Sequence, residues 1–144
     1  DYIQKSKGLY ADISSELLET IFFPNNPLHD GGVIIQGDKI TSAGAVFPTS
    51  ENMKISKRLG TRHRAALGIA EETDCISLVV SEETGIISIA TEGKLVRNYT
   101  KETLKDYLAQ ILLDVEVDEN GNVIEKKQSK IKSVLGRRNT KWKT

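Results

Sequence analysis

The stretch Cys75-Ile76-Ser77-Leu78-Val79-Val80-Ser81-Glu82-Glu83-Thr84-Gly85-Ile86-Ile87-Ser88-Ile89-Ala90 decides the fold. β-Branched and apolar residues fill both ends, and an acidic segment closed by glycine separates them. That layout reads as a strand over 75–81, a tight turn, and a second strand over 86–90 paired with the first as a hairpin. Thr91-Glu92-Gly93-Lys94 is the next turn, and Leu95-Val96 extends the sheet. Upstream, Gly60-Thr61 opens a helix that runs through Arg64, Ala65, Ala66, Leu67, Ile69 and Ala70, with Thr61 as its expected N-cap.

Working outward, Val33–Ile35 and Ile40–Phe47 flank a turn at 36–39 and read as another hairpin. The small residues Ala43-Gly44-Ala45 mark a strand that something approaches closely. Pro48 to Lys57 reads as loop. Ile13, Leu17 and Ile21, widened by Leu18 and Phe22, put an apolar face on a helix over 12–23, with Asp12 or Ser14 as cap. Pro24-Asn25-Asn26-Pro27 ends it. Thr100 caps a later helix with Leu104, Leu108, Ile111 and Leu112 on one face, and Asn120-Gly121 centres a small hairpin over 115–124. These elements predict a single-domain α/β fold of α+β character, with a mixed, mostly antiparallel central sheet flanked by helices.

With 144 residues the chain fits one domain, and 38% apolar with 28% charged residues excludes both a disordered and a membrane-spanning class. No apolar run approaches the ~18 residues a transmembrane helix needs. The lone Cys75 excludes an internal disulfide and a multi-cysteine zinc site; its apolar setting reads as a small buried hydrophobe, with a reactive thiol as the alternative. The start, Asp1-Tyr2-Ile3, lacks both Met and a signal-peptide layout, which reads as a piece of a longer protein. Zero net charge hides an asymmetry. Residues 1–125 carry 12 basic and 20 acidic side chains, whereas 126–144 carry eight basic and no acidic ones. An acidic body argues against nucleic-acid binding through the folded surface.

Three places carry possible chemistry. Gly60-Thr61-Arg62-His63-Arg64 puts two arginines and a histidine at a helix start, where the helix dipole disfavours cations. An anion would offset them, and free N–H groups with Arg side chains suit phosphate. The plainer alternative is solvated or carboxylate-paired arginines. His29-Asp30-Gly31-Gly32 stands at the mouth of a strand. Its glycines allow close approach, and its imidazole and carboxylate suit a divalent metal or a proton transfer. The alternative is an ordinary Asp-Gly turn. Ser81-Glu82-Glu83-Thr84-Gly85 offers a carboxylate at a strand end, or merely a solvated acidic turn. P-loop, dinucleotide, HExxH and nucleophile-elbow patterns are absent. Together the residues suggest a nucleotide–metal site.

Asp30-Gly31-Gly32, Gly60-Thr61-Arg62-His63-Arg64-Ala65-Ala66 and Val80-Ser81-Glu82-Glu83-Thr84-Gly85, in that order, closely resemble the diadenylate cyclase (DAC) domain, in particular its membrane-anchored CdaA type. The resemblance covers roughly residues 10–112. It implies that two ATP condense to cyclic di-AMP and two pyrophosphates across a transient face-to-face homodimer, assisted by Mg²⁺ or Mn²⁺. Carried over by motif, Asp30, with Gly31 beside it, acts on the ribose 3′-hydroxyl. His29, Asp30 and Glu83 are the candidate metal contacts. Gly60, Thr61, Arg62, His63, Arg64 and Ser81 hold the triphosphate, with Arg62, His63 and Arg64 catalytic. Gly32, Val46, Phe47, Pro48 and Glu83 complete the ATP site. The family pattern Asp-Gly-Ala here reads Asp-Gly-Gly, so Gly32 stands in the Ala place. That loss of a methyl is expected to be tolerated, although it adds backbone freedom.

The resemblance divides the chain into a catalytic domain over 1–115, apparently lacking the family's N-terminal strand, and an extension over 116–144 ending in a flexible basic tail. It places the full-length protein at the cytoplasmic face of a bacterial membrane, anchored by segments outside this soluble chain, and leaves room for regulatory protein partners. The alternative function is a catalytically silent nucleotide-binding module. A third, electrostatic nucleic-acid binding, would act through the tail alone.

Overall fold

The computed structural model describes residues 1–113 except 53 and 56, together with 115–120, 122–125 and 141–143. The hairpin expected at 75–90 forms from β4 (Ile76–Val80) and β5 (Ile87–Thr91), in the antiparallel register Ser77↔Ala90 and Val79↔Ser88. Side chains alternate across a strand. Ile76 and Leu78 therefore face one side with Ile89, and Val79 faces the other with Ala90. Each side is covered by its own helix. Helix α2 (Thr61–Glu72) lays Ala66, Leu67 and Ala70 on Val79 and Ala90. Helix α3 (Lys101–Leu112) lays Leu104, Tyr107, Leu108 and Ile111 on Ile76 and Ile89. Thr100 caps α3 in a full capping box with Thr103, as its position predicts. Leu112, expected on the packed face, is 41% exposed. Strand β6 (Lys94–Tyr99) extends this half of the sheet beside β5.

The other half is the second expected hairpin, β2 (Gly32–Gln36) and β3 (Lys39–Ala45). Helix α1 (Ser15–Phe22), capped by Ser14, packs Ile21 against Val33, Ile40 and Ala43. An additional strand precedes α1: β1 (Lys7–Asp12) pairs antiparallel with β3. This corrects the expectation that no strand precedes the first helix. Lys7–Asp12 is an exposed edge with a register shift between Gly8 and Ala11 and with Tyr10 at φ 52°. Only Leu9 and Ala11 turn inward, Leu9 onto the α1 cluster, and the bulge leaves too short a run to read from the sequence.

Strand β9 (Lys141–Lys143) lies in the middle of the sheet, giving the order β1-β3-β2-β9-β4-β5-β6. Of the residues expected to form a flexible basic tail, these three are instead paired in the core of the sheet, while 126–140 and 144 lie outside the described residues. Parallel pairing occurs between β4 and β9, so the sheet is mixed and mostly antiparallel. Strands β7 (Val115–Val117) and β8 (Val123–Glu125) form the small hairpin expected at 115–124. Cys75 is fully buried.

Candidate nucleotide site

A cavity of about 660 Å³ opens where β2 begins and β4 ends. The left-handed Gly31 (φ 114°) brings the chain into β2 against the β3 backbone, where a Cβ would lie 2.7 Å from the Gly44 carbonyl carbon. That approach carries His29 and Asp30 to the rim. The Asp30 side chain is 98% exposed, with its Oδ1 3.5 Å from His29 Nδ1. His29 Nε2 lies 3.6 Å from Glu82 Oε1, and the Arg62 guanidinium donates to that same oxygen at 2.9 Å. The polar rim thus runs Asp30–His29–Glu82–Arg62, with the imidazole between two carboxylates and the guanidinium at the end. Phe22, Ala45, Val46, Phe47 and Val79 give apolar walls.

Helix periodicity divides the Gly60–Arg64 motif between different surfaces. Thr61 and Arg62 line the cavity, followed one turn on by Ala65 and Ala66. The N-cap is Gly60 rather than Thr61, with no side-chain hydrogen bond, and no acidic residue sits in the first turn. The helix start therefore presents N–H groups and a cation to the cavity, the layout of an anion site. His63 is turned into the core and buried, its Nε2 without a partner. Burial, and then the neighbouring Arg97 charge, hold its pKa below the usual imidazole value. This corrects the expectation that His63 touches a triphosphate.

Arg64 also lies off the cavity, and its Nη1 reaches the Ser50 carbonyl at 3.5 Å. Around it α2 grips the segment after β3. The Ser50 amide donates to the Arg64 carbonyl at 3.0 Å, and the Ser50 hydroxyl donates to Glu71 at 2.7 Å. Gly68 is bare because a Cβ there would lie 2.0 Å from the Pro48 carbonyl oxygen. This grip positions Val46 and Phe47, which do line the cavity; Pro48 and Gly60 do not.

Of the acidic pair, Glu82 rather than the expected Glu83 lines the cavity. After Ser81 the chain turns back on itself, with the Gly85 amide bonded to the Ser81 carbonyl at 2.9 Å and the Thr84 amide to its hydroxyl at 3.2 Å. That turn leaves Glu83 exposed to solvent. Ser81, Gly31 and Gly32 also line the cavity. Sequence reasoning missed Glu82 as the cavity-facing acid, and also Phe22, Thr49 and Ser77. Ser77 was findable by counting back two strand residues from Val79, whereas Phe22 carries no local signal. Among the described residues no group of three or more His, Cys, Asp or Glu side chains is gathered to hold a metal ion. The imidazole and carboxylates of His29, Asp30 and Glu82 are nevertheless the right donor types.

Residues 1–95 match the DAC family, described as DisA bacterial checkpoint controller nucleotide-binding. The chain is 54% identical over 115 residues to a diadenylate cyclase of Listeria monocytogenes, covering 80% of this chain and 42% of that protein. It is 54% identical over 108 residues to the cyclic di-AMP synthase CdaA of Bacillus subtilis, covering 75% and 40% respectively. It thus spans about four tenths of the length of these curated relatives. The crystal structure of a double cysteine mutant of DacA from Staphylococcus aureus superimposes with a TM-score of 0.73 at 50% identity, covering 76% of this chain and 73% of that one. A hypothetical membrane-spanning protein from Bacillus cereus gives 0.62 at 39% identity, covering 69% and 51%. With a family match over 1–95 of 144 residues and the same fold at this identity, the chain belongs to the DAC family of DisA-type nucleotide-binding domains.

Proposed function

We propose that this domain is a diadenylate cyclase, condensing two ATP into cyclic di-AMP and two pyrophosphates. The observation that carries the reading is the cavity between the start of β2 and the end of β4, with apolar walls and a polar rim. Such a cleft suits one base and one triphosphate, with the reacting end outermost. Phe22, Val46, Phe47 and Val79 are placed to hold the adenine, and the start of α2 with Thr61, Arg62 and Ser81 to hold the phosphates. Asp30 projects from the rim into solvent. There it can orient and accept the proton of a ribose 3′-hydroxyl aimed at a nucleotide held by a second copy. The 3′-oxygen bonds to the facing α-phosphorus, the bond from that phosphorus to the bridging oxygen breaks, and pyrophosphate leaves. Two such steps across a dimer close the ring. One copy binds one ATP and has nothing to attack, so turnover requires two.

A divalent cation, Mg²⁺ or Mn²⁺, would be held by His29 with Asp30 or Glu82 and completed by substrate phosphates. When bound it neutralises phosphate charge. The chain's own residues supply the rest: Arg62 and the N–H groups of α2 offset the charge on the triphosphate, and the clamped 48–50 segment fixes the base. Among the described residues no helix is long and apolar enough to cross a membrane; the likeness to a membrane-spanning protein of Bacillus cereus supports an anchor elsewhere in the full-length protein.

Incubation with ATP and Mn²⁺ over a range of protein concentrations tests the reading. Cyclic di-AMP should appear, at a rate rising faster than linearly with protein. ATP binding without product would leave a silent nucleotide module instead.

A further inference from the structure

The main sheet has a seam. On one side β1, β3 and β2 carry α1 on the Ile21–Val33–Ile40–Ala43 cluster. On the other side β4, β5 and β6 carry α2 and α3. Among the described residues β2 and β4 are not paired with each other, and β9 lies between them. It runs antiparallel to β2 (Ile35↔Trp142, Gln36↔Lys141) and parallel to β4 (Ile76↔Trp142, Ser77↔Lys143). Each half is a three-stranded sheet with its own helix cover, the least that commonly stands by itself. The inner edges are different. Ile76 and Ser77 on the β4 edge are buried and Ile35 and Gln36 on the β2 edge are half-buried, so backbone groups there need partners, and β9 pairs with all four.

The nucleotide cavity straddles this seam. His29, Asp30 and Gly32 come from the β2 side, and Arg62, Ser81 and Glu82 from the β4 side. A strand inserted between two others sets them about 9–10 Å apart, twice the ordinary interstrand spacing. The distance between the two parts of the site is therefore set by the strand paired between β2 and β4.

We propose that β9 is a clasp for the nucleotide site. By its backbone pairing, Lys141-Trp142-Lys143 holds the two half-sheets at the separation that ATP spans, so clasp pairing and nucleotide binding are coupled. The coupling is reciprocal. A nucleotide bridging both halves favours the paired clasp, and a paired clasp raises nucleotide affinity. This inference rests on the reading of the cavity as a nucleotide site, but not on turnover.

The test uses the whole chain and 3′-deoxy-ATP, which lacks the attacking hydroxyl and cannot cyclise. In the wild type the nucleotide should slow amide exchange in Lys141–Lys143 and on the inner edges of β2 and β4. Proline in a central strand removes a donor and does not fit. Trp142→Pro should therefore speed exchange along those two edges, leave the β1–β3 and β5–β6 ladders protected, and weaken 3′-deoxy-ATP binding by about tenfold or more, the scale expected of a site displaced by roughly 1 Å. General destabilisation would not confine the change to the seam.

A second variant covers the case in which proline prevents folding. Antiparallel partners have Cα atoms about 4.5–5.5 Å apart, within disulfide reach. Gln36→Cys combined with Lys141→Cys should cross-link within the chain on mild oxidation and keep wild-type nucleotide affinity. No cross-link, or wild-type affinity in a folded Trp142→Pro protein, would overturn the clasp. A wild-type chain that does not bind 3′-deoxy-ATP would sink the nucleotide site itself. One that binds it but makes no cyclic di-AMP from ATP would sink only the cyclase.

Discussion

Gly32→Ala restores the residue of the family pattern, and the structure predicts that this chain will not accept it freely. A Cβ on Gly32 would lie 2.0 Å from Phe47 Cε2, 2.6 Å from Cζ and 3.2 Å from Cδ2. Ordinary carbon contacts are about 3.5–4.0 Å, so the ring must retreat by about 1.5 Å or more. Phe47 also packs edge-on against Tyr2, with centroids 5.8 Å apart at 70°, and Tyr2 is tied through its hydroxyl to Glu72 at 2.5 Å. The retreat thus disturbs a contact as well as a rotamer. Overpacking of this kind costs about 1–3 kcal/mol. The backbone of Gly32 is outside the left-handed region, so alanine also gains about 0.4–1 kcal/mol by restricting the unfolded chain. The net expectation is a loss of about 1 kcal/mol, or a Tm lower by about 3–5 °C. Phe47→Leu in the same background should recover most of it. Urea unfolding of wild type, both single variants and the pair gives the coupling directly, expected at about 0.5 kcal/mol or more for residues in contact. Additive effects would refute the claim that Gly32 is small because Phe47 lies over it.

Other expectations concern the rim and the helix that carries it. Asp30→Asn should abolish product while sparing ATP affinity, because the side chain is fully exposed at the mouth; turnover near the wild-type rate would remove Asp30 from the chemistry. Arg62→Ala should weaken ATP binding by roughly tenfold, the scale of one charge-assisted bond, whereas Arg64→Ala should act mainly on stability through the Ser50 segment, as calorimetry beside ATP titration would separate. Gly68→Ala drives a Cβ against the Pro48 carbonyl and should cost about 1–3 kcal/mol in urea unfolding; a wild-type midpoint would mean that the segment does not rest on α2. His63 has a lowered pKa in the fold. At pH values between its folded and unfolded pKa the unfolded chain binds more protons, so the histidine's contribution is intact above about pH 6.5 and is lost as pH falls through the folded value. His63→Gln should flatten that part of the stability–pH curve measured between pH 8 and 5.

The central part of the fold was legible because its signals are local. Alternation with a glycine-closed turn specified β4 and β5, Thr100 specified the start of α3, and the spacing of Leu17 and Ile21 specified the face of α1. The two ends of the chain were not legible, for one shared reason: β1 and β9 are made by pairing. β1 is a bulged edge that turns only Leu9 and Ala11 inward, too short a run to read, and β9 draws its order from the inner edges of β2 and β4 on either side. A basic composition says that such a segment is soluble in isolation, and nothing about a slot that accepts its backbone.

The site was legible as a set of motifs, with its geometry hidden. As motifs the residues form one ligand-facing group, but a helix sends consecutive residues about 100° apart. Arg62 therefore meets the cavity, His63 enters the core, and Arg64 turns to the Ser50 carbonyl. The choice between Glu82 and Glu83 depended on the turn at Ser81, and Glu82 becomes informative only through Arg62 and His29, which are distant in sequence. That ion pair also shows what a nucleotide must do here. In the free protein Glu82 already neutralises Arg62 at 2.9 Å, with both side chains about half-exposed. An exposed pair of this kind is worth little, about 0–1 kcal/mol, so a triphosphate can displace the carboxylate at small cost. The displaced Glu82 would then remain beside His29, as an acceptor at the polyanion's edge. On the proposed reading Arg62 has a weak anionic partner before substrate arrives, and the exchange that would give it to the phosphates would free the carboxylate for a cation.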